Sequence, residues 1–386
     1  MYLLGLVSFF SDVSTDMVYP LIPLYLTAVF GATPAMVGVI EGIAESIASL
    51  LKVFGGYITD KGKSKKAIAF GGYASALLYK IALLVASSWG GILAARVIDK
   101  IGKGIRTAPR DVLVNESADK GKIGKAYGIH KAFDMAGSAF GILLSYFLLR
   151  SAGGIINYKL IFVISIFPAI FGLVALLLVK ENKSQHKEIK RESFWKNAHK
   201  LNTDLKLYLL ITFVFTLGNS SNTFLLLRAK SVGFTDTNVV LLYLLYNVIS
   251  AIFCVPFGKL SDKIGRKKVL LSGYIMFAIV YIGFALAKSS AMMVVIFMLY
   301  GLFTAMTAGV ERAFISEIAP PELKGTMLGL QSTLVGVALL PASVIAGFLW
   351  DFCGAAVPFV FGAIMSITAA IMLIYMLNRK AVTKGQ

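Results

Sequence analysis

Apolar residues occur along most of this chain in long runs that short polar connections separate. Each run is about 20 residues long, the length that a helix needs to cross the roughly 30 Å hydrocarbon core of a bilayer. Twelve such runs predict an all-α polytopic membrane protein with twelve transmembrane helices. They cover residues 2–29, 34–58, 66–86, 89–113, 124–149, 154–180, 206–228, 236–258, 268–287, 291–315, 325–349 and 355–377, and are numbered span 1 to span 12.

The composition agrees with this prediction. Hydrophobic residues make up 57% of the 386 positions, and the mean hydropathy is +0.78. A soluble globule of this size keeps much of its surface in water and has no place for so many apolar side chains. The two cysteines, Cys254 and Cys353, lie in or beside apolar runs, where they are expected to pack as small core residues. No metal site, disulfide or cofactor is expected.

The basic residues account for a net charge of +18, and their distribution indicates a membrane orientation and not a nucleic-acid partner. They are concentrated in one set of connections, as the positive-inside rule describes for cytoplasmic loops. Both termini are therefore predicted to be cytoplasmic, in the inner (plasma) membrane with its anionic inner leaflet, and the chain is expected to act as a monomer. The opposite connections carry only five basic residues: Arg150, Lys159, Arg228, Lys230 and Lys288.

Span 1 has no basic segment before its apolar run and contains two aspartates, Asp12 and Asp16. These features differ from those of a cleaved signal peptide. Span 1 is therefore expected to be retained. Because Met1 lies at its edge, the natural protein could have a short segment upstream of this sequence.

An internal repeat divides the chain in two. The segment Gly56–Lys66 recurs as Gly258–Lys268, with Asp60 and Asp262 at 202 residues from each other. Glu116 and Glu317 are similarly separated by 201 residues. A duplication predicts two pseudo-symmetric six-helix bundles, residues 1–182 and 206–386, which a basic cytoplasmic connector at 183–205 joins.

The repeated loop carries a family resemblance. Its pattern, Gly-x-x-x-Asp-[Arg/Lys]-x-Gly-[Arg/Lys]-Lys, resembles the signature of the major facilitator superfamily, which Gly258–Lys268 matches closely. The resemblance implies two bundles that rock about a central site and expose it to either side of the membrane in turn. Asp60, Asp262 and Arg266 would then act in a cytoplasmic gate.

Four further charged residues are candidate gate partners. Arg110 and Asp111 end span 4, and Glu311 and Arg312 end span 10 at the same repeat separation of 201. Opposite charges at such positions can attract each other across a closing interface. The alternative is that all four lie in solvated helix ends.

Charges inside the spans point to a polar interior. Each costs roughly 2.5–3.5 kcal/mol at the centre of a helix in lipid, so these residues are predicted to face a wet cavity or each other. Asp12 and Asp16 share one face of span 1, and Glu45 lies in span 2. Span 4 carries one continuous stripe within about 120°: Arg96, Asp99, Lys100, Lys103, Arg106 and Arg110.

The resemblance places spans 1, 4, 7 and 10 around the cavity. Arg96, Asp99, Lys100 and Lys103 would line it from the first half, and Asn219, Asn222 and Thr304 from the second. A carboxyl group in an apolar cavity holds a proton more readily than one in water. Asp16 is therefore the first candidate for proton coupling, followed by Asp12 and Glu45. The alternative is a fixed salt bridge, such as Asp16 or Asp99 with Arg96.

The segment from Arg96 to Asp111 resembles one found in bacterial and archaeal efflux permeases. This favours a secondary active transporter that exports a small organic molecule with protons as the coupling ion. Uptake or exchange of an anionic metabolite, bound by the basic stripe of span 4, is the alternative. A receptor without transport is an alternative of another class. No enzyme motif is recognisable.

Small residues at four-residue spacing occur in span 5, where Gly137 and Gly141 lie on one helix face. Such pairs allow helices to approach closely in a membrane. They are predicted to pack against helices of the other half.

Overall fold

The computed structural model describes residues 2–60, 64–117, 123–151, 157–179, 203–307, 309–319 and 324–384. Every regular element in these ranges is a helix, and none of the described residues forms a strand. Eleven helical stretches are long and apolar enough to cross a membrane. The prediction of an all-α polytopic membrane fold is therefore confirmed.

The helices follow the predicted spans. In the first half, span 1 is interrupted and span 4 is absent from the eleven apolar stretches because charged residues occupy so many of its positions. The bounds are Tyr2–Asp16 and Ile22–Phe30 for span 1, Pro34–Asp60 for span 2, Lys65–Val85 for span 3, Trp89–Glu116 for span 4, Ile123–Ser151 for span 5 and Tyr158–Leu178 for span 6.

The second half repeats this order, with interruptions in spans 7 and 10. The bounds are Thr203–Gly218 and Thr223–Ser231 for span 7, Asp236–Ile264 for span 8, Arg266–Leu286 for span 9, Ser290–Thr307 and Val310–Ile318 for span 10, Lys324–Cys353 for span 11 and Val357–Lys384 for span 12.

Spans 1 and 7 are interrupted at equivalent places. The first helix of span 1 ends at Asp16 and that of span 7 at Gly218, a separation of 202 residues that also relates Asp60 to Asp262. In span 1 a 3₁₀ turn, Tyr19–Leu21, follows the break and contains a proline. Backbone groups that a helix break leaves unpaired need partners inside a membrane.

Serines of neighbouring spans supply such partners. In span 1 the hydroxyl of Ser145 donates a hydrogen bond to the carbonyl of Met17 at 2.5 Å. In span 7 the amide of Ser221 donates to the hydroxyl of Ser343 at 3.3 Å. Both breaks are thus built into the packing of their own unit, with backbone polar groups satisfied by side chains.

The contacts divide the chain into two units. Unit 1 comprises Met1–Thr33, Ile43–Ile189 and Phe234–Leu244, and unit 2 comprises Pro34–Gly42, Lys190–Gly233 and Leu245–Gln386. The first turns of spans 2 and 8 are therefore grouped apart from the rest of those spans. The division at 1–182, 183–205 and 206–386 stays a prediction, and most of the basic connector lies outside the described residues.

In unit 1, span 1 packs against spans 5 and 6, and span 3 packs against span 4. The contact with span 5 depends on Gly137 and Gly141. A Cβ atom on Gly137 would lie 2.9 Å from the Cα of Phe9, and one on Gly141 would lie 2.9 Å from the Cα of Val13. The prediction that these glycines pack against the other half is therefore wrong, because they let spans 1 and 5 of the same unit approach.

Aromatic rings fill much of the core of unit 2. Phe215 of span 7 stacks on Tyr274 of span 9, with ring centroids 4.3 Å apart. Phe277 stacks on Tyr281 at 3.8 Å and meets Phe303 of span 10 edge to face at 4.9 Å. This packing holds spans 7, 9 and 10 together and fixes one wall of the cavity described below.

Candidate functional site

The stripe of span 4 faces the interior of unit 1. Arg96, Asp99 and Lys100 are almost fully buried, with 1%, 2% and 3% of their surface exposed. Lys103, one turn further along, is exposed. Three of the four predicted cavity residues of this span are thus buried, and the fourth is exposed.

The buried charges of the stripe are paired. A nitrogen of the Arg96 guanidinium lies 3.6 Å from a carboxylate oxygen of Asp99, and the Lys100 ammonium lies 2.5 Å from the carboxylate of Glu45 in span 2. Pairing offsets much of the cost of burying each charge. Glu45, a candidate for proton coupling, is thus bound to a lysine.

Tyr19 adds an aromatic face to this cluster. It lies in the 3₁₀ turn of span 1, and its ring centroid is 5.5 Å from the Arg96 guanidinium and 5.9 Å from the Lys100 ammonium. Both distances permit a cation–π interaction. Its ring also lies 5.5 Å from that of Tyr243 in span 8. Tyr19 was not among the predicted site residues, because an uninterrupted helix was expected there.

The aspartates of span 1 have a different environment. The hydroxyl of Ser138 in span 5 donates a hydrogen bond to Asp16. Neither Asp16 nor Asp12 forms an ion pair with any lysine or arginine that the structure describes. The electrostatic neighbours of Asp12 are two acidic groups, Asp134 and Asp16, and two basic groups, Arg106 and Lys103. The proposed salt bridge from Arg96 therefore goes to Asp99 and not to Asp16.

Lys80 of span 3 is a further charged residue of this interior, and it was not among the predicted site residues. Its side chain is fully buried, and its ammonium makes no hydrogen bond to a described residue. The ring of Tyr79 lies 5.2 Å from the nitrogen. Asp99, Arg106 and Asp16 are its main electrostatic neighbours. A single lysine inside an apolar run was its only sequence signal.

Unit 2 has a partly open cavity of about 280 Å³ among spans 7, 8, 10 and 11. The three residues predicted from the second half, Asn219, Asn222 and Thr304, all line it. Both asparagines come from the break in span 7. The other lining residues are Thr212, Phe215, Thr216, Tyr246, Tyr300, Phe303, Thr307, Glu311, Val335 and Leu339.

Hydrogen bonds fix the polar side of this cavity. The hydroxyl of Tyr300 donates to the side-chain oxygen of Asn222 at 2.6 Å. The amide nitrogen of Asn222 donates to the hydroxyl of Tyr246 at 3.2 Å. Asn222 is therefore oriented by two tyrosines. Neither was among the predicted site residues, because tyrosines are common in apolar helices.

The candidate gate residues form local pairs. Arg266 contacts Asp262 at 3.3 Å and Glu317 at 3.1 Å, and the equivalent pair in the first half is Lys65 with Glu116. Neither glutamate was among the predicted gate residues. The side chain of Asp60 lies outside the described residues.

The four proposed partners have different local settings. Arg110 forms an ion pair with its neighbour Asp111 at 3.0 Å. Glu311 lines the cavity of unit 2, and Arg312 is exposed. A gating role for this quartet stays a prediction.

Comparison with known proteins identifies the family. The model of the Major Facilitator Superfamily matches residues 4–209 and again residues 207–386. The chain belongs to this superfamily. The two matches follow the internal repeat, and each covers one set of six spans. Membership identifies a multi-pass membrane transporter and not an enzyme.

Relatives agree with this assignment. An uncharacterized MFS-type transporter of Methanocaldococcus jannaschii is 37% identical over 380 residues, which are 97% of this chain and 94% of that protein. The quinolone resistance protein NorA of Staphylococcus aureus is 26% identical over 159 residues, 40% of each chain.

Solved structures share the fold at low identity. A variant of the nucleoside transporter NupG superposes with a TM-score of 0.83 at 12% identity, over 97% of this chain and 99% of that one. A D-xylose–proton symporter gives a TM-score of 0.75 at 17% identity, over 96% of each chain. At such identities the likeness concerns the fold alone.

Proposed function

We propose that this transporter exports a small organic molecule in exchange for protons, by alternating access, with both termini in the cytoplasm. The observation that carries the proposal is the contrast among the carboxylates of unit 1. Asp99 and Glu45 are each bound to a basic side chain, whereas Asp12 and Asp16 have no such partner among the described residues. A carboxylate that no cation neutralises is the one that gains most from binding a proton in a poorly solvated site.

Asp16 is the preferred proton carrier, and Asp12 is the second. Asp16 lies at the break of span 1 and accepts a hydrogen bond from Ser138. When Asp16 binds a proton, its negative charge disappears from the interior of unit 1. When it releases the proton on the other side, the charge returns and favours the wetter conformation. Glu45 stays the third candidate, since the Lys100 ammonium already contacts its carboxylate.

The direction of transport rests on resemblance. NorA is named for quinolone resistance, and its partial similarity to this chain supports export. The same holds for the segment from Arg96 to Asp111, which resembles efflux permeases.

The anion alternative has less support from the geometry. The guanidinium of Arg96 and the ammonium of Lys100 are occupied by Asp99 and Glu45. Arg106 donates to the carbonyl of Gly72 at 3.3 Å. An anionic substrate that binds Arg96, Lys100 or Arg106 would have to displace these internal partners. Arg96→Gln should abolish binding of an anionic substrate and leave binding of other substrates largely intact.

Proton flux into sealed vesicles tests the proposal. Purified protein is reconstituted in liposomes with an internal pH dye, and candidate cations and anions are added. We expect substrate-triggered proton movement in the wild type and its loss in Asp16→Asn, because asparagine cannot take up a proton.

Asp204→Asn is the matched control. Asp204 lies in the first turn of span 7, outside the polar interior of unit 1, so this variant should retain the flux. Equal flux in Asp16→Asn and wild type would exclude Asp16 as the carrier and direct the same test to Asp12. Substrate movement without any proton flux in the wild type would contradict the coupling itself.

A further inference from the structure

The cavity of unit 2 has an unusual charge balance. Among its lining residues Glu311 is the one ionisable acid, and no lysine, arginine or histidine contributes to the wall. No described residue forms a hydrogen bond or an ion pair with the Glu311 carboxylate. Glu311 is therefore a carboxylate without a bound counter-charge, inside a cavity of the protein.

The rest of the wall suits an organic cation. Four aromatic rings line the cavity, those of Phe215, Tyr246, Tyr300 and Phe303. The faces of such rings carry negative potential and attract ammonium groups, most strongly where water is excluded. The rings are held in place, because Tyr246 and Tyr300 pack edge to face at 5.4 Å and both bind Asn222.

The size of the cavity limits the ligand. Its volume of about 280 Å³ is near the lower end of pockets that bind small organic molecules. Hydroxyl groups of Thr212, Thr216 and Thr304 already donate to helix carbonyls, so they remain available to a ligand as acceptors only. Acceptors, aromatic faces and one carboxylate together match a ligand that carries positive charge.

We infer that this cavity binds a small aromatic or alkyl ammonium ion, with its charge at Glu311 and its apolar part against the aromatic rings. The inference rests on the proposed function and names the class of the exported molecule. It also gives Glu311 a role in binding in place of the role in gating that its position at the end of span 10 suggested.

An anion fits the same wall poorly. Its charge would face the Glu311 carboxylate, and no basic side chain of the lining would compensate. Like charges that approach in a poorly solvated site repel strongly. In unit 1, by contrast, the buried basic groups of Arg96 and Lys100 contact the carboxylates of Asp99 and Glu45.

Binding to the purified protein tests the inference directly. We would titrate phenyltrimethylammonium, which carries a permanent positive charge, and benzenesulfonate, an anion of similar size, by isothermal titration calorimetry. We expect the cation to bind and the anion not to bind. Glu311→Gln should weaken cation binding at least about tenfold, whereas Asp204→Asn should leave it unchanged.

Two further variants test the carboxylate and the aromatic face separately. Glu311→Asp retains the carboxylate and should bind the cation better than Glu311→Gln. Phe303→Leu removes one aromatic face and should weaken binding of the cation by a few fold. Unchanged cation affinity in Glu311→Gln, or binding of benzenesulfonate in preference to the cation, would overturn the inference.

The Asp16→Asn variant distinguishes the cation site from the proposed proton coupling. Asp16→Asn should bind phenyltrimethylammonium like the wild type and fail only in substrate-triggered proton flux. Cation binding by a wild type that moves no protons would contradict the coupling and leave the cation site standing. Proton flux that only anions trigger would support the coupling and contradict the cation site.

Discussion

At the scale of single residues, burial of the Lys80 ammonium in unit 1 is costly in free energy. A buried ammonium without a hydrogen bond loses its hydration and gains little in return. Lys80 is fully buried, and its nitrogen has no hydrogen-bond partner among the described residues. A residue that costs stability in this way is expected to be retained for activity.

Lys80→Met tests this expectation, because methionine fills a similar volume without a charge. We expect a higher apparent melting temperature, since the burial of an unpaired charge is relieved. We also expect weaker substrate-triggered proton flux, since Asp16 loses a positive electrostatic neighbour. The measurements are a thermal unfolding curve in detergent and the vesicle assay.

Lys66→Met is a control for the removal of a lysine from the same helix. Lys66 is less buried than Lys80 and donates to the carbonyl of Leu177 at 2.7 Å, so its loss should not raise the melting temperature. A fall in melting temperature for Lys80→Met would mean that the ammonium has a stabilising partner, and our explanation would fail.

Interior residues are easiest to predict from sequence where a charged side chain interrupts an apolar run. Charges inside apolar runs are conspicuous, and Asp12, Asp16 and Arg96 were predicted as interior groups, although Lys80 was not. Tyr300 and Tyr246 could not, because a tyrosine in a membrane helix faces lipid, a core or a cavity with the same local pattern. Only the folded structure brings these two rings to Asn222.

At the scale of helices, the number and order of the spans could be predicted, whereas their interruptions could not. Hydropathy averages over many residues, so the apolar run 2–29 reads as one helix although the structure interrupts it after Asp16. Prolines at positions 20 and 23 and the polar segment 219–222 were available as local signals. A break in a membrane helix needs partners for its backbone groups, and those partners, Ser145 and Ser343, come from distant parts of the chain.

The contact between spans 1 and 5 yields a prediction of its own. Gly137→Ala should lower the melting temperature, because the new methyl group would meet the backbone of Phe9 and force the two helices apart. Gly329→Ala is the matched control. It lies within the helix of span 11, and no other heavy atom approaches its Cβ position within 4 Å.

In a helix interior alanine is favoured over glycine by up to about 1 kcal/mol. Gly329→Ala should therefore be neutral or slightly stabilising, and the two variants should differ in sign in a thermal unfolding assay. If Gly137→Ala were as stable as Gly329→Ala, spans 1 and 5 could not be in the close contact described here.

At the scale of the whole molecule, the duplication is visible in the ion pairs. Lys65 pairs with Glu116 and Arg266 with Glu317, and both members of the second pair follow those of the first by 201 residues. Each pair joins the start of the third helix of a half to the end of its fourth. The sequence revealed the repeat, but it did not reveal which residues pair, because pairing depends on helix rotation and on side-chain reach.

The two pairs differ in exposure, and this difference predicts unequal contributions to stability. The exposed side-chain fractions are 6% and 23% for Lys65 and Glu116, against 29% and 53% for Arg266 and Glu317. Exposed pairs contribute about 0–1 kcal/mol, whereas removal of one partner from a buried pair costs about 3–5 kcal/mol. Glu116→Gln should therefore lower the melting temperature clearly more than Glu317→Gln.

Charge exchange completes this test. Lys65→Glu alone should be strongly destabilising, and the double variant Lys65→Glu with Glu116→Lys should recover part of the loss, because the pair is restored with its charges reversed. The same exchange at Arg266 and Glu317 should have a smaller effect in both steps, since water screens the more exposed pair. Equal losses in the two halves would show that exposure does not govern these pairs. Each half would then depend on its ion pair for the geometry of its third and fourth helices, whatever the solvent around it.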